Sequence, residues 1–582
     1  MDLRRSLCTS LPVLLLLFVF AHPLSAQNQA EKIDKLMTAY HEYGMFNGSV
    51  LVATAGEVVF QKGYGLAHME WDIPNEPDTK FRLGSITKQF TAALILQLEN
   101  EGKLNTEDVI SKHLPDYPKE VGDKVTIHQL LVHTSGIPSY TGLPDFFADM
   151  SRDYYSTDDF IKVFSDLPLE FEPGSQWSYN NSAYFLLGVI VEKITGMTYE
   201  EALQERIFGP LAMHDSGYDH HGTILKKRAA GYQRSGLSFE TAPYLDMSLP
   251  YAAGSLYSTV EDLHIWDRAL YSDQVLPENL KEKMFTAYMN NYGYGWGVNK
   301  RSFGGSDKEF TVVGHGGGIN GFNTIIQRLP EDEHLIVLLN NTGGTNLGEM
   351  SEGIFNVLYG YDADSPRKPI ALELANQIKS NGIEKAIESY WKLKALDSLI
   401  YNFDENQLND LGYAYLREGE MDLAIAVFKL NTEAYPEAFN TYDSLGEAYM
   451  ENGDKELAIK NYEKSLELNP RNENGKEMLA KMGVEVDPDL GKEITVAPEV
   501  LKGYVGKFEL QPGFVITVTH EGSQLFAQAT GQPQFELFAE TETEFFLKVV
   551  DAQLSFHVND EGIAESITLH QGGQHMPAKR IE

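Results

Sequence analysis

Six features of this chain recur at one fixed distance, and that distance limits what its second half can become. Leu411-Gly412 returns as Leu445-Gly446, Tyr415 as Tyr449 and Gly419 as Gly453. Ala424 returns as Ala458, Phe428 as Tyr462 and Pro436 as Pro470, always 34 residues on. A period of 34 is that of helix pairs that cannot bury an apolar face alone and must stack. The repeat predicts all-helical structure over residues 370–485. GIEKAIESYWKLKALDS, Gly382 to Ser398, reads as a degenerate earlier unit and GKEMLAKM as a closing helix. Such an array either grips a protein or peptide partner or braces the domains beside it, and the pattern leaves both open.

The character of the chain changes on either side. Asp362 to Pro369, DADSPRKP, reads as a linker. Before it, SVLVATAGEVVFQKGYGLA predicts a hairpin turning at Ala55-Gly56, and FNTIIQRL-PEDE-HLIVLLNN predicts a second one. Strands at both ends of a segment with helices between them predict an α+β domain, an antiparallel sheet carrying helices, over residues 27–361. After about Ala497 short alternating strands cut by glycines predict a small all-β domain, sandwich or barrel-like, over residues 495–582. With 582 residues the chain is too long for one core, and three folded parts are expected.

The first 26 residues read as a secretory signal: Arg4 and Arg5, an apolar run from Leu11 to Phe20, then Leu24-Ser25-Ala26. A periplasmic or secreted location is therefore expected, with no integral membrane segment once the signal is gone. The single cysteine, Cys8, lies inside that signal, so disulfides and cysteine-held metal are not expected in the remainder. Acidic residues outnumber basic ones 84 to 47, for a net charge of −37. That balance argues against a nucleic-acid partner and against docking on anionic lipid.

Three stretches carry chemistry. Ser-x-x-Lys occurs at Ser85/Lys88, Ser365/Lys368 and Ser389/Lys392. Only Ser85 follows a glycine and opens a strongly apolar helix, running to about Gly102, where the spacing sets Lys88 on the same face one turn deeper. A lysine buried there has its charged form disfavoured and can act as a base. In FEPGSQWSYNNSAYFLLG, Tyr179 is placed to exchange a proton, and a nearby ammonium would ease its ionisation. Asn181 offers an amide to orient Lys88 or to bind a substrate carbonyl; otherwise it caps the following helix. In VVGHGGGINGF the glycines at 314, 316, 317 and 318 let another chain lie close, and His315 would stand at the rim. A backbone N–H there, with that of Ser85, could form an oxyanion hole.

Together, Ser85-x-x-Lys88, Tyr179-x-Asn181 and His315-Gly316-Gly317 resemble the serine β-lactamase and penicillin-recognising superfamily. The resemblance is closest to its class C branch, with related esterases, D-amino-acid peptidases and DD-carboxypeptidases. IHQLLVHTSGIPSY and AAGSLYSTVEDLHIWDRAL look like the same family, over about Ala30 to Tyr361. The repeats resemble tetratricopeptide repeats. The family resemblance implies that Ser85 is acylated, that Lys88 assists its deprotonation and that Tyr179 is the general acid/base. It also implies substrate binding by Asn181, His315, Gly317 and Gly318, an oxyanion hole from the N–H groups of Ser85 and Gly318, and no metal or other cofactor. Drug-hydrolysing relatives usually carry Lys-Thr-Gly where this chain has His315-Gly316-Gly317. A histidine reads carboxylates weakly or in a pH-dependent way. The expectation is an exported esterase or peptidase on small esters, amides or D-amino-acid peptides, with weak β-lactamase activity possible. A true β-lactamase or DD-carboxypeptidase, and a non-catalytic scaffold whose repeats recruit a partner, are the alternatives.

Overall fold

The structure is a computed structural model that describes residues 17–235, 238–306, 308–396, 399–487, 490–511, 514–530, 532, 534–550, 552–571 and 574–581. Arg4, Arg5, Cys8 and the start of the apolar run lie outside the described residues. The chain divides into two compact units, Met1–Arg234 with Ser238–Pro366 and Ser235–Leu237 with Arg367–Glu582.

The first unit is built on a six-stranded sheet. Its strands are β1 (Gly48–Thr54), β2 (Glu57–Tyr64), β3 (Gly297–Ser302), β4 (Glu309–Ile319), β5 (Phe322–Leu329) and β6 (His334–Asn340). They lie in the order β3-β4-β5-β6-β1-β2, and every neighbouring pair is antiparallel. The first hairpin turns where Ala55 and Gly56 both take positive φ, 48° and 79°. Each face of the sheet carries a core, so β6 is buried along its whole length. A strand covered on both sides reads as a near-continuous apolar run rather than an alternating one. Along β1, Leu51 and Ala53 enter the larger core while Val50 and Val52 enter the other. Helix α1 (Leu17–Glu42) covers the second face with Ile33, Leu36 and Met37, beside the helix Leu347–Leu358. Among the described residues no helix is long and apolar enough to cross a membrane.

The first face carries the helices that position the site: α2 (Thr87–Asn100), α3 (Asn181–Thr195) and the single turn α4 (Tyr251–Gly254). Helix α2 packs against both α3 and α4. Its residues Phe90, Leu94 and Leu98 are fully buried, and Gly102 beyond its end takes φ +69°. That matches the apolar run and the stop read from the sequence.

In the second unit the 34-residue period becomes two helix pairs, Glu405–Glu418 with Met421–Ala434 and Phe439–Asn452 with Lys455–Leu468. Gly419 and Gly453 end the first helix of each pair in the left-handed conformation, which glycine adopts at least cost. The repeated Gly-aromatic combination is a packing contact. A Cβ on Gly412 would stand 2.5 Å from the Phe428 ring, and one on Gly446 would stand 3.1 Å from the Tyr462 ring. The degenerate unit is the helix Ile383–Leu396, preceded by Ile370–Asn381, and the closing helix is Glu473–Lys481. The β-rich tail closes as an eight-stranded antiparallel barrel, its last strand pairing back to the first through Phe508 and Arg580. Alternate residues such as Ile516 and Val518 fill its interior. Among the described residues no cluster of His, Cys, Asp and Glu could hold a metal ion.

Candidate active site

Gly84 to Ile86 form a tight 3-10 turn, and the α-helix proper starts at Thr87. Ser85 is therefore not the helix cap that its position suggests; it projects from the turn that feeds the helix. Gly84 takes φ +54°, and a Cβ there would meet the Gly318 backbone at 3.0 Å. Glycine before the serine is thus required twice, for conformation and for contact. Strand β4 lies so close on the other side that a Cβ on Gly317 would stand 1.9 Å from the Leu83 carbonyl oxygen.

Lys88 is fully buried. Its Nζ lies 3.1 Å from Ser85 Oγ, 2.8 Å from Asn181 Oδ1 and 2.9 Å from the Ala253 carbonyl oxygen. No carboxylate is among these partners, and desolvation pushes its pKa well below the ordinary lysine value. An uncharged amine has two N–H bonds and one lone pair. Asn181 Oδ1 and the Ala253 carbonyl can only accept, so they take the two N–H bonds and leave the lone pair facing the Ser85 hydroxyl. Asn181 is itself held by donating from Nδ2 to Thr141 Oγ1 at 3.1 Å. The cap of α3 is not Asn181 but its neighbour Asn180, whose side chain accepts from Ala183 N–H.

Tyr179 departs from expectation. A charged lysine beside it would ease its ionisation, and Lys88 Nζ does lie 4.8 Å from its ring centre. Yet burial pushes the phenol pKa up, with Ser85 only partly offsetting this. Its hydroxyl is buried and makes no close hydrogen bond. Desolvation acts on both groups at once, disfavouring the ammonium of Lys88 and the phenolate of Tyr179.

His315 departs too. Its ring centre lies 6.1 Å from that of Tyr179, and it does not line the cavity beside Ser85. Its Nδ1 lies 2.6 Å from the Gly316 carbonyl oxygen, so Nδ1 carries the proton, and Nε2 accepts from Tyr292 Oη at 2.8 Å. Burial, then the Lys88 charge, bring its pKa down to about 4, against a small opposing effect of that carbonyl. It is a neutral, fully partnered imidazole. The sequence reading also passed over His133, buried at φ +62°, which accepts the Asn180 N–H through Nδ1 at 3.1 Å. Its ring lies 4.4 Å from that of Tyr179. The signal for it was present in the quoted VHTSG stretch.

The cavity at Ser85 has a volume of about 120 Å³ and includes Asn181 and Gly318 in its wall. Phe146, Phe147, Leu245 and Ile319 make most of it apolar, and none of its described lining residues is charged.

A reactive hydroxyl beside a buried amine, on an antiparallel α+β scaffold, defines the class: a serine hydrolase. The chain belongs to the Beta-lactamase family, whose model matches residues 30–358. Further models match a tetratricopeptide repeat at residues 444–472 and a domain of unknown function, DUF3471, at 491–580. The chain is 25% identical over 579 residues to penicillin-binding protein 4* of Bacillus subtilis, covering 96% of this chain and all of that one. It is 30% identical to the teichoic acid D-alanine hydrolase of Staphylococcus aureus, over 54% of this chain and 74% of that one. The octameric penicillin-binding protein homologue of Pyrococcus abyssi shares the fold along nearly the whole length. Its TM-score is 0.50 at 20% identity, covering 94% of this chain and 99% of that one.

Proposed function

We propose that the protein is exported and hydrolyses small esters or amides through an acyl-enzyme at Ser85. The observation that carries this is the fully buried Lys88 Nζ, 3.1 Å from Ser85 Oγ and held by two carbonyl oxygens that can only accept from it. Lys88 takes the serine proton as Oγ attacks the acyl carbon. The N–H groups of Ser85 and Gly318 hold the developing oxyanion. Tyr179 delivers a proton to the leaving group and regains one from Lys88; water then attacks the acyl-enzyme, its proton passing back by the same route to Oγ, which leaves as the Ser85 hydroxyl. Asn181 keeps Lys88 in register and meets the substrate at the cavity wall.

The cavity argues for the substrate class. It is small, at ≈ 120 Å³, and mostly apolar, which favours a small acyl group without a carboxylate. The D-alanine hydrolase relative, named for removing such a group, supports the same class. A lining without lysine or arginine disfavours an efficient β-lactamase or carboxypeptidase, whose substrates present a carboxylate.

The test is labelling of the full-length protein with a fluorescent phosphonate, followed by peptide mapping. The adduct is expected on the peptide that contains Ser85. An unlabelled wild type, or an adduct on another serine, overturns the reading. Export is checked by the mass of protein recovered outside the cytoplasm, expected to begin at Gln27; retention with an intact N-terminus refutes it.

His315 supplies a pH prediction. With its pKa down at about 4 it stays neutral from pH 5 to 8. The ratio of cephalosporin to neutral-ester turnover should therefore be flat across that window, because protonation of Lys88 affects both substrates alike. A fall of about tenfold with rising pH would mean that a protonated imidazole reads the carboxylate after all.

A further inference from the structure

The chain around Tyr179 has no helix or strand of its own to hold it, since α3 starts only at Asn181. Yet the peptide groups on both sides of Tyr179 end on one distant residue. The Ser178 N–H donates to the His133 carbonyl oxygen at 2.9 Å, and the Asn180 N–H donates to His133 Nδ1 at 3.1 Å. The ring of His133 also lies against the phenol that these bonds bracket, with centres 4.4 Å apart. Tyr184 and Tyr292 close around the imidazole at 5.2 and 4.6 Å.

The bond to Nδ1 stands where a local one is usual. Asn180 is the cap of α3, and at two other helices of this unit the N–H of the cap is met from within the helix. Thr126 N–H donates to Gln129 Oε1 at 3.0 Å and Thr198 N–H to Glu201 Oε2 at 2.9 Å, each three residues on. In α3 that place belongs to Ala183, which has no acceptor to offer. Two features of His133 are unfavourable in themselves. It holds φ +62°, and because Nδ1 accepts, its proton sits on Nε2, a buried atom with no hydrogen-bond partner among the described residues. Asparagine would tolerate that φ and accept the bond but brings no ring, and phenylalanine would bring the ring without an acceptor. Histidine is the residue that supplies both to Tyr179.

We propose that His133 is the positioning residue for Tyr179, setting the phenol beside Ser85 and Lys88 without touching substrate. It is absent from the lining of the Ser85 cavity, so it acts through Tyr179 alone. The inference rests on the reading of Ser85 as nucleophile and Tyr179 as the donor to the leaving group.

The test compares 4-nitrophenyl acetate with benzyl acetate on the full-length protein. The two share an acyl group, and kcat/KM reports only the steps up to acylation, so the leaving group is what differs. Nitrophenolate departs as a stable anion, whereas the benzyl alkoxide needs the proton that Tyr179 delivers. His133→Gly keeps the φ and removes both acceptor and ring. It should lower kcat/KM about 10²-fold for benzyl acetate and only about threefold for the nitrophenyl ester. His133→Asn keeps the φ and restores the acceptor, and should recover about tenfold of the benzyl loss. In a Tyr179→Phe background, His133→Gly should cost less than about threefold more. The ratio of the two esters does not depend on how much enzyme is folded. Where His133→Gly fails to fold at all, His133→Leu refills the space without an acceptor and should show the same selective loss. Equal losses on both esters, no recovery by asparagine, or full additivity with Tyr179→Phe would each overturn the proposal while phosphonate labelling of Ser85 stands. An unlabelled wild type would instead overturn the acyl-enzyme reading, and the proposal with it.

Discussion

Replacing Lys88 by methionine should lower kcat/KM for a small ester on the order of 10³-fold, while the melting temperature at pH 7 holds or rises. The two halves of that result come from one cause. Lys88 is fully buried with no carboxylate partner, so its environment disfavours the ammonium and leaves a base. The same desolvation makes it a poor contributor to folding, and methionine fills a similar volume without the polar end. The sign follows from proton linkage. In the unfolded chain the lysine titrates near about 10.4, whereas in the folded chain its pKa is well below. Between those two values unfolding takes up a proton, so stability rises with pH across the window. The gap in melting temperature between wild type and Lys88→Met should therefore be widest at low pH and close as pH approaches 10. Thermal melts at several pH values and ester kinetics check it. A variant that is unstable yet retains turnover would show that Lys88 is a structural residue.

What was legible in the sequence is what depends on short-range periodicity. The spacing of Ser85 and Lys88 is a helical spacing, and the two side chains do meet. The 34-residue offset reflects a glycine against an aromatic ring, a contact repeated within each helix pair. What was not legible depends on neighbours far away in the chain. The Ala253 carbonyl that fixes the direction of the Lys88 lone pair is 165 residues distant. Tyr292, which occupies His315 Nε2, belongs to a stretch with no motif of its own. The Tyr179 pKa reverses direction because desolvation acts on the phenol hydroxyl and the amine together, and the degree of burial is a property of the assembled core. Asn180 and Asn181 are adjacent and identical, so only the path of the backbone into α3 decides which one caps the helix and which one faces Lys88.

The glycine strand shows the same limit within three residues and yields the second large effect. Gly316, Gly317 and Gly318 look interchangeable as letters, yet their surroundings differ. A Cβ on Gly316 would have its nearest neighbour at 3.7 Å, an ordinary contact. On Gly317 it would stand 1.9 Å from the Leu83 carbonyl oxygen and 2.4 Å from Thr324 Oγ1. Thr324 cannot simply turn away, because its hydroxyl donates to that same Leu83 carbonyl at 2.7 Å. Gly317→Ala must therefore push β4 off the turn that carries Ser85, at a cost of about 1–3 kcal/mol in stability. The displacement separates Gly318 from Gly84 and pulls one oxyanion donor out of place, which should lower kcat by about 10²–10³-fold. Gly316→Ala should leave both quantities close to wild type. Measured side by side, melting temperature and ester turnover separate close packing from mere glycine content. If the two variants behave alike, the contact between β4 and the Ser85 turn is not what the strand's glycines are for.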